Sequence, residues 1–132
     1  MINVACAIIK DGNKVLACQR SHSMHLAGKW EFPGGKLESN ETASQCVVRE
    51  IEEELELIIQ IAGRLKPVVC HYPDKSIQLI PFVCKIVSGQ IRLKEHENFR
   101  WVDSDGILAL DWAAADVKLI VANGLGSPGS AV

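Results

Sequence analysis

The stretch PGGKLESNETASQCVVREIEEELE, residues 33–56, decides how the chain is read. From Glu41 to about Glu56 it holds no Gly or Pro, and Asn40 is a candidate N-cap, so a helix is predicted there. Val47, Ile51, Leu55 and Ile58 recur at helical spacing and define an expected buried stripe. Glu50, Glu53 and Glu54 stand at i, i+3 and i+4, so their carboxylates share one face. Glu52 and Glu56 point away from that face toward solvent, with the apolar stripe between the two acidic groups. Such a helix is also the ordinary solvated surface of a soluble protein. The residues before it shift the balance. Pro33-Gly34-Gly35 reads as a tight turn whose bare backbone can approach a phosphate or a metal, and it leads straight into the acidic helix. Three carboxylates on one face repel unless a cation neutralises them, and hard divalent ions such as Mg²⁺ or Mn²⁺ prefer oxygen ligands. Arg49, i, i+4 from Glu53, is placed to orient that carboxylate.

Outward from this helix, Ile2–Lys10 and Val15–Arg20 flank Asp11-Gly12 and predict a β-hairpin. Residues 21–29 read as a loop and Trp30–Phe32 as a short strand. Strands are also expected over Ile58–Val69, Ser76–Ile86 and Arg100–Asp103. Helices are expected over Ser104–Leu110 and Ala113–Ala122, the second capped by Asp111 or a neighbour. Strands on both sides of one long helix imply an α/β fold, a central mixed β-sheet covered by helices as a sandwich. Residues 1–123 form the single expected domain, and the small, turn-forming residues 124–132 form an expected flexible tail.

The chain has 132 residues, a formal charge of −2 and 48% hydrophobic residues, which suits one soluble domain. That charge offers no general attraction to polymeric nucleic acid or to anionic lipid. No apolar run approaches the roughly 20 residues that span a bilayer, and Met1-Ile2-Asn3-Val4 has no basic lead-in to a signal peptide. The five cysteines, Cys6, Cys18, Cys46, Cys70 and Cys84, are scattered and show no CxxC pair. They read as reduced, mostly buried thiols of a cytoplasmic protein, with neither a zinc site nor a disulfide framework.

Gly35, five residues, Glu41, seven residues, then Arg49-Glu50-Ile51-Glu52-Glu53-Glu54 resembles the Nudix box, with Leu57 at a further aliphatic position. The final glycine of that box is replaced by Glu56, which bears on how the helix ends. Trp30-Glu31-Phe32-Pro33-Gly34-Gly35-Lys36, together with Arg20, His25 and Leu26-Ala27-Gly28-Lys29, is similar to the MutT-like branch of that family. So is Leu110-Asp111-Trp112-Ala113-Ala114-Ala115-Asp116, where Asp116 stands in the place of an asparagine of some members.

The resemblance implies a Nudix α/β/α sandwich and a hydrolase that releases pyrophosphate and a monophosphate from a nucleoside triphosphate. Nucleotide-pool sanitation is the role it suggests, with 8-oxo-dGTP or (d)CTP as the substrate; the Asp116 substitution keeps both open. The alternatives are cleavage of another nucleoside diphosphate-linked compound, a sugar or a dinucleoside polyphosphate, and a binding module without turnover. The partner is a small nucleotide, the cofactor Mg²⁺ or Mn²⁺, and the protein a monomer or homodimer. By position, Glu50, Glu53 and Glu54 would hold the ion with the Gly34 carbonyl and a carboxylate from a later loop, Glu95 in preference to Glu97. Glu50 is the preferred general base and Glu53 the second. Gly35, Glu41 and Arg49 would brace the site. Arg20, His25, Glu31, Phe32, Pro33, Gly34 and Asp116 are the candidate substrate contacts. For each the plainer reading is kept in view: Arg20 on the surface, His25 idle in a loop, Phe32 in the core, Asp116 an ordinary acid in a first helical turn.

Overall fold

The computed structural model describes residues 1–126. Its elements run β1 (Ile2–Asp11), β2 (Lys14–Gln19), β3 (Trp30–Glu31), β4 (Gly34–Lys36), α1 (Ala43–Leu55), β5 (Leu57–Arg64), β6 (Val68–His71), β7 (Ser76–Gly89), β8 (Asn98–Val102), α2 (Ser104–Ala109) and α3 (Ala114–Ala122). The strand order is β3-β2-β1-β7-β5, with β4 added to β1, β6 to β7 and β8 to β2. β1 and β7 run parallel, from Ile2↔Ile77 to Ile9↔Cys84, and the other strand pairs are antiparallel. The sheet is therefore mixed, as expected.

β1 shows why two layers of helix form. Cys6 and Ile8 join the core beneath α2 and α3, with Trp30, Phe32, Ile107 and Leu119. Ala5, Ala7 and Ile9, on the opposite face, join Val47, Ile51 and Leu55 of α1. A central strand buried on both sides reads as one apolar run because period-2 alternation feeds two cores. Cys6, Cys18, Cys46, Cys70 and Cys84 are all free and buried. Among the described residues no helix is long and apolar enough to cross a membrane.

Local chemistry corrects several boundaries. α1 is capped by Thr42, whose hydroxyl accepts from Gln45 N at 3.1 Å while the Gln45 side chain accepts from Thr42 N at 3.0 Å. This reciprocal capping box displaces Asn40, which sits before the helix at φ 64°. Ile58 is not part of the buried stripe: it lies in β5, 40% exposed, on the outward side of the pleat. The strand expected over 58–69 is two, β5 and β6, because Lys66-Pro67 interrupts it. β7 runs on to Gly89, and α3 starts after Ala113 with no side-chain cap, since Asp111 is paired with Lys29 at 2.8 Å. Of the residues expected in the tail, Leu125 is packed in the core and its N–H bonds Ile120 O at 3.0 Å. The rest of that tail, 127–132, lies outside the described residues.

Pro33-Gly34-Gly35 is not a turn. Gly34 and Gly35 are strand residues paired with Cys6 and Ala5. Their bareness serves close approach: a Cβ on Gly34 would lie 2.0 Å from Ala5 O, and one on Gly35 would lie 2.2 Å from the Glu50 carboxyl carbon. The second of these contacts brings α1's acidic face onto β4 and begins the site.

Candidate active site

α1 packs on the sheet through Cys46, Val47, Ile51 and Leu55, which leaves the Glu50 carboxylate against Gly35 of β4. Arg49 is the hub of the carboxylates. Its Nε and Nη2 grip Glu41 at 2.6 and 2.9 Å, and its Nη1 donates to Glu50 at 2.9 Å and to Glu53 at 3.1 Å. The Arg49 bonds, helped by the Glu38 backbone N–H, pull the Glu41 carboxyl down to about 2. Glu41 is therefore a fixed anion that holds the arginine, the bracing role expected of this pair.

Burial works the other way on two of the three helix carboxylates. It pushes Glu50 up, against the pull of Arg49, and it pushes Glu54 up with the Glu95 charge adding to it. The Glu54 Oε2 is buried with no hydrogen-bond partner. An orphaned acceptor among like charges suits a cation, and an all-oxygen set of Glu50, Glu53, Glu54 and Glu95 is the donor chemistry of a hard divalent ion. No three His, Cys, Asp or Glu side chains among the described residues are already gathered as a cage. Arg49 instead holds Glu50 and Glu53.

Beside α1 lies a cavity of about 230 Å³, bordered by Glu54, Glu95 and Asp116. Arg20, His25, Glu31, Phe32, Gly34 and Gly35 also border it, so most expected substrate contacts share one space. Pro33 does not: it is fully buried, and its carbonyl accepts from Ala7 N at 2.8 Å. Phe32 is buried against Trp112, with ring centroids 4.6 Å apart. Glu53 lies on the outer side of α1, 57% exposed, beside Ser44, Val48 and Ile61. Glu97 is turned toward His22, 3.4 Å away, while Glu95 faces the cavity.

Asp116 is 5% exposed, and its Oδ1 accepts from Phe32 N at 2.9 Å. Burial, reinforced by the Glu31 charge, pushes its carboxyl well above the usual range. Burial thus favours the protonated form, which carries an O–H donor beside its acceptor.

Three cavity residues carried no motif. Tyr72 and Lys75 flank the turn between β6 and β7, and Tyr72 OH accepts from Ala115 N at 3.3 Å. The Pro73-Asp74 turn signal could have placed them. His96 is buried, with Nε2 2.7 Å from Glu31 Oε2; a partner 65 residues away leaves no local trace in sequence.

The NUDIX domain family model matches residues 1–122. The 8-oxo-dGTP diphosphatase of Escherichia coli (strain K12) is 32% identical over 120 residues, spanning 90% of this chain and 93% of that protein. The CTP pyrophosphohydrolase of the same organism is 32% identical over 122 residues, spanning 92% and 90%. The crystal structure of the MutT protein from Methanosarcina mazei Go1 superposes with a TM-score of 0.82 at 27% identity, covering 91% of this chain and 90% of that one. The solution structure of the E. coli ORF135 protein gives 0.79 at 31%, covering 92% and 87%.

Proposed function

The chain belongs to the NUDIX family and is a pyrophosphohydrolase, and from that premise we propose that it hydrolyses a modified or cytosine-bearing nucleoside triphosphate, with Mg²⁺, to the monophosphate and pyrophosphate. The observation that carries this reading is the cavity that Glu54 and Glu95 share with the buried Asp116. The two glutamates suit a metal-bound phosphate and Asp116 the edge of a base.

Divalent metal is a general requirement of the family, and Glu50, Glu53, Glu54 and Glu95, with the Gly34 carbonyl, would hold the ion. When bound it supplies charge neutralisation at the phosphates and a more acidic water. The chain's own residues do the rest. Glu50 is the general base, because its side chain is 13% exposed and held in place by Arg49, whereas Glu53 is open to solvent on the outer side of the helix. Water adds to phosphorus, its proton passes to Glu50, and the anhydride P–O bond breaks to release pyrophosphate. Arg20 presents its guanidinium to a phosphate. Glu95, not Glu97, supplies the later carboxylate, since it shares the cavity with Glu54. Asp116, with Oδ1 on Phe32 N, turns an O–H and a free lone pair toward an edge that pairs an acceptor with a donor, as guanine O6/N1–H and cytosine N3/N4–H₂ do.

The test is pyrophosphate release from 8-oxo-dGTP, dCTP, CTP, a nucleotide sugar and a dinucleoside polyphosphate, with and without Mg²⁺. Metal-dependent release from one triphosphate, lost by at least about 100-fold in Glu50→Gln with the melting temperature kept, is expected. Cleavage confined to the linked diphosphates would overturn the substrate class. Glu50→Gln at full rate would overturn the base.

A further inference from the structure

His96 belongs to the segment between β7 and β8, directly after Glu95, and its side chain is 3% exposed. Its Nε2 lies 2.7 Å from Glu31 Oε2, and its Nδ1 is buried without a partner. The tautomer with hydrogen on Nε2 donates to Glu31 and strands no buried N–H. The other Glu31 oxygen, Oε1, accepts from Arg20 Nη1 at 2.6 Å. Arg20 Nε donates in turn to the carbonyl of His25, across the loop that borders the cavity. A continuous line of bonds thus runs from a buried imidazole, through a carboxylate, to the guanidinium. With Nη1 and Nε engaged inside the protein, the Nη2 amino group is left for a ligand.

We propose that His96 is a positioning residue for substrate binding: it pins Glu31, and through Glu31 it aims Arg20 at the phosphate. This rests on the reading of Arg20 as the phosphate contact. The physical reason is fork geometry. A carboxylate and a guanidinium favour a two-bond, side-by-side pair. If Glu31 Oε2 lost its donor, that carboxylate would be free to rotate and take a second Arg20 N–H, drawing the fork off the cavity. His96 occupies Oε2 and holds Glu31 to one bond with Arg20. A long side chain aimed in advance also loses less rotamer freedom when the ligand arrives.

Two amides separate this role from simple core filling. Glutamine places its side-chain nitrogen about where the imidazole carries Nε2, whereas asparagine stops near Nδ1 and cannot reach Glu31. His96→Asn is expected to raise KM for the triphosphate about tenfold with kcat within about threefold, while His96→Gln stays within about twofold in KM. In an Arg20→Ala background the Asn substitution should change KM by less than about twofold, since its route is already cut. Equal KM for the Asn and Gln variants, or an undiminished Asn effect without Arg20, would overturn the proposal.

Arg20→Ala alone separates the two readings. If it leaves KM unmoved, the phosphate role of Arg20 falls and this inference with it. If it raises KM while Asn and Gln behave alike, only the relay falls. Should His96→Asn fail to fold, the wild-type protein still decides. The ¹⁵N–¹H signal of His96 Nε2 is expected to shift when a non-hydrolysable triphosphate binds, and not to shift in Arg20→Ala. A signal unmoved in the wild type would refute the coupling.

Discussion

Glu56 stands where the family box carries glycine, and it ends α1 in the left-handed region at φ 56°, ψ 37°, with its N–H bonded to Glu52 O at 3.0 Å. A residue with a Cβ pays roughly 1–2 kcal/mol for that conformation. Glycine removes the penalty but is looser in the unfolded chain, which returns about 0.4–1 kcal/mol. The difference leaves glycine ahead of alanine at this position by about 1 kcal/mol. Glu56 offsets part of its strain through side-chain pairing: Oε2 meets Lys94 Nζ, and Arg92 Nε lies 3.9 Å from Oε1. These groups are 43–74% exposed, so solvent screens the pairs and salt weakens them further.

In Glu56→Gly the strain relief and the lost pairs oppose each other, so its melting temperature is expected close to that of wild type. Glu56→Ala loses the pair and keeps the strain, and should melt roughly 4 °C below Glu56→Gly for a domain of this size. Adding about 0.5 M NaCl should lower wild type relative to Glu56→Gly and leave the gap between Gly and Ala unchanged. Calorimetry or denaturant titration of the three proteins decides it. An alanine variant as stable as the glycine variant would refute a left-handed helix end, and with it the account of how this chain tolerates the missing glycine.

Three further expectations follow from the site. Gly35→Ala should cut kcat by at least about tenfold while the protein stays folded, because a Cβ 2.2 Å from the Glu50 carboxyl carbon must displace that group; steady-state kinetics checks it. Glu95→Gln should raise the Mg²⁺ concentration needed for half-maximal rate by about tenfold or more and Glu97→Gln by less than about twofold, read from metal titrations of activity, with equal shifts contradicting the choice of Glu95. Asp116→Asn keeps the acceptor for Phe32 N and removes a titration: an unfolded aspartate ionises near 3.9 while the buried one holds its proton higher, so the native state binds more protons above that pH and wild type loses stability as pH rises. The Asn variant should gain on wild type in melting temperature from pH 4 toward pH 8, and a gap that narrows over that range would contradict the protonated carboxyl.

What could be read in the sequence was what is set by near neighbours. The Val47/Ile51/Leu55 stripe of α1 and the hairpin at Asp11-Gly12 follow from helical and strand periods and from turn chemistry, and both are present; the carboxylates divide, Glu54 lining the cavity and Glu53 lying outside it beside Glu52. The Gly34-Gly35 pair was legible as a close approach but not as a strand. What approaches is Ala5 O and the Glu50 carboxyl, and both arrive through pairing and packing rather than through local conformation. Asn40 and Thr42 are both good caps by type, and only the reciprocal bond with Gln45 selects Thr42.

The division falls along function as well. The carboxylates and their arginine lie within one segment, 41–54, so the class of reaction is encoded where a motif can show it. The rest of the cavity lining includes Arg20 just after β2, Glu31 on β3, Tyr72 and Lys75 between β6 and β7, His96 before β8 and Asp116 on α3. These residues meet because β3, β2 and β1 are neighbours, because β7 returns parallel to β1, and because β8 closes on β2. A change at any of them reshapes the cavity while leaving residues 41–54 as they are. One acidic helix can therefore serve many substrates. The 8-oxo-dGTP diphosphatase and the CTP pyrophosphohydrolase are each 32% identical to this chain, so overall identity does not choose between them. On the proposed function the choice falls to the cavity residues outside the helix, and among these Asp116 is the carboxyl that burial pushes furthest toward its neutral form.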